Sequence, residues 1–218
     1  MLKATVLGAG YMGSAITFPL SENNMEVCLW GTWLDDHLVK ASIEGSHPKL
    51  KKPLNENIDI KYSQDIKDAV KDADIIFIGI ASEGFVDVLE LLFKTIEKNC
   101  FYFKLTKGLV EYRGKTMRAT EAANDMFAKK FPGEKFLWAS VGGPVKAVDL
   151  AHHTPSGSVY GISDILIKDM IKSIETDYYR IFPTEDLVGV EVCSTFKNIY
   201  SIASGLCDGL YKTEKEGL

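Results

Sequence analysis

The 218-residue chain has no basic excess: 25 Lys and Arg stand against 30 Asp and Glu, a formal net charge of −5. Holding a nucleic-acid backbone without sequence help needs the opposite balance, so no nucleic-acid partner is expected. A phosphorylated small molecule remains possible, because one or two local cations suffice for it. Cysteine is scarce. Cys28, Cys100, Cys193 and Cys207 form no C-x-x-C pair and stand at no metal-ligand spacing from the four histidines. That argues against a disulfide framework or a metal site and for reduced, cytoplasmic thiols. No apolar run approaches the roughly 20 residues a membrane helix needs. A glycine turn begins at Gly8, where a signal peptide would still require its apolar stretch. Repeats and low-complexity tracts are missing too, and 46% hydrophobic with 25% charged residues excludes a disordered chain.

What is present alternates short apolar runs with longer amphipathic ones. Strands are expected at 4–7, 26–30, 74–80, 101–105, 136–141 and 178–182, the last closed by Pro183. Helices are expected from Met12 to Leu20, with Pro19 ending or kinking it, and over 85–96, 117–131 and 163–174. A long helix follows from Gly189 toward Leu210, and 44–56, with two prolines and three lysines, reads as a surface loop. Strands alternating with helices imply βαβ crossovers and a mostly parallel sheet.

Gly8-Ala9-Gly10-Tyr11-Met12-Gly13 is G-x-G-x-x-G placed after an expected strand and opening an expected helix. The first glycine permits the tight turn, the second admits a pyrophosphate, and the third allows close helix–strand contact; free N–H groups at the helix start then favour phosphate. The fold class is therefore α/β, Rossmann-like and doubly wound, with a dinucleotide as cofactor. At the next strand end, Leu29-Trp30-Gly31-Thr32-Trp33, no carboxylate waits for the adenosine ribose; Asp35 and Asp36 come several residues late. Thr32 is a candidate ribose contact, and NAD versus NADP stays open.

Two lysines have unusual settings. Lys197 stands beside a packing stripe of Val192, Phe196, Ile199, Ala203 and Leu206, with Cys193, Ser194, Tyr200 and Ser201 as its helical neighbours. Partial burial would lower its pKa and suit it to proton transfer at a carbinol oxygen, whereas a stem lying over the core would leave it a surface lysine. Lys107 follows the apolar strand F-Y-F-K-L, so it falls beyond a strand's carboxyl end, where ligands of doubly wound sheets lie. Lys104, in mid-strand, reads as structural. Gly142-Gly143-Pro144 closes the next strand in the same way. The adjacent His152 and His153 cannot share a helix face and are not expected to bind metal.

In order along the chain come G-A-G-Y-M-G at 8–13, L-W-G-T at 29–32, H-P-K-L at 47–50, I-A-S at 80–82, K-G at 107–108, G-G-P-V-K-A at 142–147 and G-V-E-V-C-S-T-F-K-N-I-Y-S-I-A-S-G at 189–205. This series resembles the NAD(P)-dependent glycerol-3-phosphate dehydrogenase family over essentially the whole chain. The resemblance implies reversible hydride transfer between a nicotinamide, NAD or NADP, and sn-glycerol 3-phosphate or dihydroxyacetone phosphate, in glycerol-3-phosphate metabolism and phospholipid biosynthesis. It makes Lys197 the general acid/base and Lys107 the cation shared by cofactor and substrate. Asn198 would orient substrate or Lys197, and Gly143 would approach substrate. Gly8, Gly10, Tyr11, Met12, Gly13, Thr32, Ala81, Ser82, Lys107 and Ala147 would line the dinucleotide.

Two departures stand out. Where the family often has Ser-Gly-Pro-Ser, this chain has Gly142-Gly143-Pro144-Val145, losing any hydroxyl contact from that serine. The family also continues into a helical domain with an essential aspartate and an Arg-Asn pair that grips the substrate phosphate; these residues end at Glu216-Gly217-Leu218, with a polar, uncapped tail over 211–218. The expected division is 1–188, dinucleotide-binding, and 189–218, the first helix of a truncated helical domain. Three readings stay open: a dehydrogenase lacking its helical domain, a dinucleotide-binding module without turnover, or a related two-domain hydroxy-acid reductase. An apolar stripe left uncovered on the last helix favours a homodimer or aggregation.

Overall fold

The computed structural model describes residues 1–211, so from residue 212 the expected uncapped tail lies outside the described residues. The strands are β1 (Lys3–Leu7), β2 (Glu26–Trp30), β3 (Ile58–Lys61), β4 (Ile75–Ile78), β5 (Phe101–Lys104), β6 (Leu109–Tyr112), β7 (Lys115–Arg118), β8 (Trp138–Gly142), β9 (Ser156–Ile162) and β10 (Tyr179–Thr184). The helices are α1 (Tyr11–Glu22), α2 (Asp36–Ile43), α3 (Ile66–Ala69), α4 (Phe85–Thr95), α5 (Ala119–Lys130), α6 (Ala147–Ala151), α7 (Ile167–Lys172) and α8 (Leu187–Leu210).

Eight strands form one sheet in the order β10-β9-β8-β5-β4-β1-β2-β3. Pairing is parallel from β3 across to β8; β9 then runs antiparallel to β8, and β10 parallel to β9. The sheet is doubly wound and mostly parallel, and its order reverses at β1, between β2 and β4. That reversal opens a crevice at the strands' carboxyl ends. Period-2 alternation sends Ala4, Val6, Ile75 and Phe77 to one face and Leu7, Ile76 and Ile78 to the other, each face with its own buried core. Both sides are covered, which is why these strands read as unbroken apolar runs.

Several sequence expectations shift. The first helix continues three residues past Pro19, to Glu22, and Asn23 donates to the Pro19 carbonyl through both its backbone N–H (3.2 Å) and Nδ2 (3.0 Å). β10 runs through Pro183 to Thr184 because it is an edge strand, where a missing N–H is tolerated. α7 begins at Ile167 rather than Ser163, and Met117–Arg118 belong to the β6–β7 hairpin rather than to α5. The 44–56 loop is not wholly superficial: His47 is fully buried, its Nε2 3.0 Å from both the Ala9 carbonyl and Ser14 Oγ. Burial lowers the His47 pKa, which keeps the ring neutral beneath the glycine turn.

Candidate active site

Each glycine of the opening turn serves differently. Gly8 has φ +105°, and a Cβ there would lie 2.6 Å from the Gly79 carbonyl oxygen, so only glycine fits between β1 and β4. A Cβ on Gly13 would collide with the Gly8 carbonyl, so α1 seats directly on the turn. Gly10 faces open space, with nothing within 4 Å of a Cβ. It is also the α1 N-cap and has no capping side chain, leaving the first N–H groups of the helix available to an anion. These features fit a pyrophosphate.

Across the crevice, Met12, Gly79, Ile80, Ala81, Leu105, Thr106, Lys107, Val145 and Ala147 line a cleft of about 310 Å³. Four of the anticipated residues, Met12, Ala81, Lys107 and Ala147, meet here. Thr106 Oγ1 donates to the Ile80 carbonyl (2.7 Å), tying the ends of β4 and β5 together beside Lys107. Ser82 lies on the flank, packed under Gly108 and donating to Glu83 Oε2 at 3.2 Å. Tyr11 is half exposed at the mouth of the turn, with Lys49 Nζ 5.3 Å from its ring centre.

A second cleft of about 500 Å³ adjoins the first, lined by Lys107, Gly142, Gly143, Pro144, Val159, Thr184, Asp186, Gly189, Val190, Cys193, Ser194 and Lys197. Lys107 borders both clefts. Its pKa is lowered, first by loss of hydration and then by the nearby Lys197 ammonium, so the two lysines face one another. Lys197 itself is exposed, the surface setting of the two left open by the sequence. Its flanking stripe is likewise uncovered among the described residues, with Ile199 59% and Leu206 61% exposed. Asn198 is exposed and lines neither cleft.

Thr32 is buried, and its hydroxyl donates to Asp35 Oδ2 (2.9 Å) while accepting from the Leu34 N–H (3.3 Å). Its hydroxyl hydrogen is thus committed to Asp35, which leaves Thr32 only an acceptor toward a ribose hydroxyl. His152 and His153 face a backbone carbonyl (Leu50, 3.2 Å) and Glu22 Oε1 (2.9 Å).

A buried network that sequence spacing could not reveal ties α8 to the sheet. Lys104, at the end of β5, meets Glu191 of α8 at 2.7 Å, with side chains 2% and 0% exposed. Glu191 also accepts from the Thr120 N–H (3.1 Å) and pairs with Arg118 (3.4 Å). Burial lowers the Lys104 pKa and outweighs the attraction of Glu191. The only signal in the sequence was a carboxylate inside the apolar string Val188-Gly189-Val190-Glu191-Val192.

Residues 3–166 match the family model described as NAD-dependent glycerol-3-phosphate dehydrogenase N-terminus, and residues 186–216 match its C-terminus counterpart. The chain is 29% identical over 213 residues to the NADP(+)-dependent glycerol-3-phosphate dehydrogenase of Archaeoglobus fulgidus, covering 97% of this chain and 62% of that relative. It is 30% identical to the glycerol-3-phosphate dehydrogenase [NAD(P)+] of Wigglesworthia glossinidia brevipalpis, covering 94% and 60%. Among solved structures, the glycerol-3-phosphate dehydrogenase of Coxiella burnetii superposes with a TM-score of 0.81 at 26% identity, over 98% of this chain and 63% of that one. The chain thus spans about three fifths of the length of these relatives.

Proposed function

The chain belongs to the NAD-dependent glycerol-3-phosphate dehydrogenase family, and on that premise we propose that its two adjoining clefts hold a nicotinamide dinucleotide, NAD or NADP, and a small phosphorylated substrate. The observation that carries this reading is Lys107, which borders both clefts and faces Lys197. Gly8–Gly13 and the N–H groups of Tyr11 and Met12 would hold the pyrophosphate, and Ala81, Ser82 and Ala147 would flank the cofactor. When bound, the nicotinamide supplies the hydride for C2 of dihydroxyacetone phosphate, or accepts it from sn-glycerol 3-phosphate.

Lys107 polarises the C2 oxygen, and Lys197 delivers the proton there in reduction or removes it in oxidation. Gly143 gives substrate a close backbone approach, and Asn198, which lines neither cleft, would act through its neighbour Lys197 rather than on the substrate. The proposed division is 1–188 for the cofactor and 189–218 for the start of a helical unit, of which residues 212–218 lie outside the described residues. The cellular role is cytoplasmic, in glycerol-3-phosphate metabolism and phospholipid biosynthesis. The uncovered face of α8 supports one further statement, that the chain self-associates as a homodimer.

Titration with NADH and NADPH, followed by addition of dihydroxyacetone phosphate, tests this through nicotinamide fluorescence and absorbance. Binding with slow turnover is expected. Binding with none leaves a dinucleotide-binding module, and the loss of both signals refutes the proposal. Gly10→Ala gives an independent check. The fold is expected to lose about 1 kcal/mol or less, while the added methyl occupies the pyrophosphate's space and weakens binding about tenfold or more, equal to roughly 1.4 kcal/mol.

A further inference from the structure

No acidic residue stands at the β2 end itself, and the first carboxylate after it, Asp35, comes five residues past Trp30. After Trp30 the chain turns back, with the Asp35 N–H donating to the Thr32 carbonyl at 2.8 Å, and the Asp35 side chain folds onto the glycine turn. Its Oδ2 accepts three bonds, from the Thr32 N–H (3.0 Å), Thr32 Oγ1 (2.9 Å) and the Ala9 N–H (3.3 Å). Gly31 makes this approach possible: a Cβ there would lie 3.2 Å from the Asp35 Cβ and closer still to Val39. One carboxylate oxygen is therefore saturated and fixed, while Oδ1 receives no hydrogen bond among the described residues.

The fixed carboxylate stands where β1 and β2 end side by side, with the Gly8 N–H donating to the Trp30 carbonyl at 2.7 Å. In a doubly wound sheet this is where the adenosine ribose of a bound dinucleotide lies. The segment 31–37, Gly-Thr-Trp-Leu-Asp-Asp-His, has two carboxylates and no lysine or arginine. Of the flanking lysines, Lys40 pairs with Glu44 (3.8 Å), Lys61 pairs with Asp59 (3.2 Å), and Lys49 stands over the Tyr11 ring (5.3 Å). Trp33 and Leu34 are exposed and offer apolar surface to an adenine ring.

We propose that Asp35 selects the dinucleotide without a 2′-phosphate: its free oxygen accepts from the ribose hydroxyls and its charge repels a phosphate placed there. This deepens the cofactor reading above and rests on it. NADH should bind at least about tenfold more tightly than NADPH, a difference of roughly 1.4 kcal/mol. Replacing Asp35→Asn keeps an oxygen for the Ala9 and Thr32 N–H groups and removes the charge, so it should shrink the ratio chiefly by strengthening NADPH. Asp35→Ser should do so further.

The measurement is the equilibrium dissociation constant of each reduced dinucleotide by fluorescence, with a thermal melt of each variant to confirm folding. Equal affinities in the parent chain, or a ratio unchanged in folded Asp35→Asn, overturn the selectivity. Failure of both dinucleotides to bind the parent overturns the cofactor reading, and the selectivity with it. Preference for NADPH in the parent would refute the role of Asp35 while leaving the cofactor reading intact.

Discussion

Replacing Glu191 by alanine is expected to destabilise the chain by about 3–5 kcal/mol, the range for removing one partner of a buried ion pair. For a chain of this length that lowers the melting temperature by roughly 6–20 °C. Glu191 is enclosed with Lys104 at 2.7 Å, so its loss strands an ammonium between the sheet and α8 and also orphans the Thr120 N–H. The pair is costly to break without being valuable in itself. Lys104→Met with Glu191→Leu removes both charges, and Arg118, which is partly exposed, keeps its 2.7 Å contact with Glu121. Most of the lost stability should return in this double variant. A single Glu191→Ala variant that melts with the parent would show that α8 is held by other contacts.

The second large effect concerns chemistry. Lys197→Met should slow single-turnover oxidation of NADH by dihydroxyacetone phosphate about 10²- to 10⁴-fold, the usual worth of a placed general acid. The NADH dissociation constant should barely change, because Lys197 lies in the second cleft and not in the first. Undiminished turnover would remove this lysine from the mechanism. The same variant has a signature in pH. Lys107 is held below the ordinary lysine range, in part by Lys197. Its charge, and the substrate binding that depends on it, is present at low pH and lost as pH rises through that lowered value. Removing the opposing ammonium raises the Lys107 pKa, so the alkaline fall in dihydroxyacetone phosphate binding should move to higher pH.

Where the chain reads plainly, a local cause is at work. β1, β4 and β5 are apolar on both faces because helices cover both, and the glycine turn declares itself because Gly8 and Gly13 answer steric demands of their own neighbours while Gly10 leaves open space. β3 escaped notice as a four-residue edge strand, Ile-Asp-Ile-Lys, and the β6–β7 hairpin because of its polar sequence. β9, Ser-Gly-Ser-Val-Tyr-Gly-Ile, has small residues where other elements press close. In the site, spacing along the strand pointed to Thr32, and the fold-back after it brings the Asp35 carboxylate onto the same hydroxyl, a contact that spacing does not show. The pairing of Lys104 with Glu191 spans 87 residues and leaves no periodic trace.

α8 rests on two bare stretches of backbone. A Cβ on Gly161 would lie 2.7 Å from the Leu187 Cα, and one on Gly142 2.7 Å from Ser194 Oγ. Neither glycine takes part in any proton or hydride step, yet together they set the height at which the helix rides above the strands. A single methyl at either would act as a shim, raising Lys197 relative to the strands that lead to Lys107 while leaving both lysines intact.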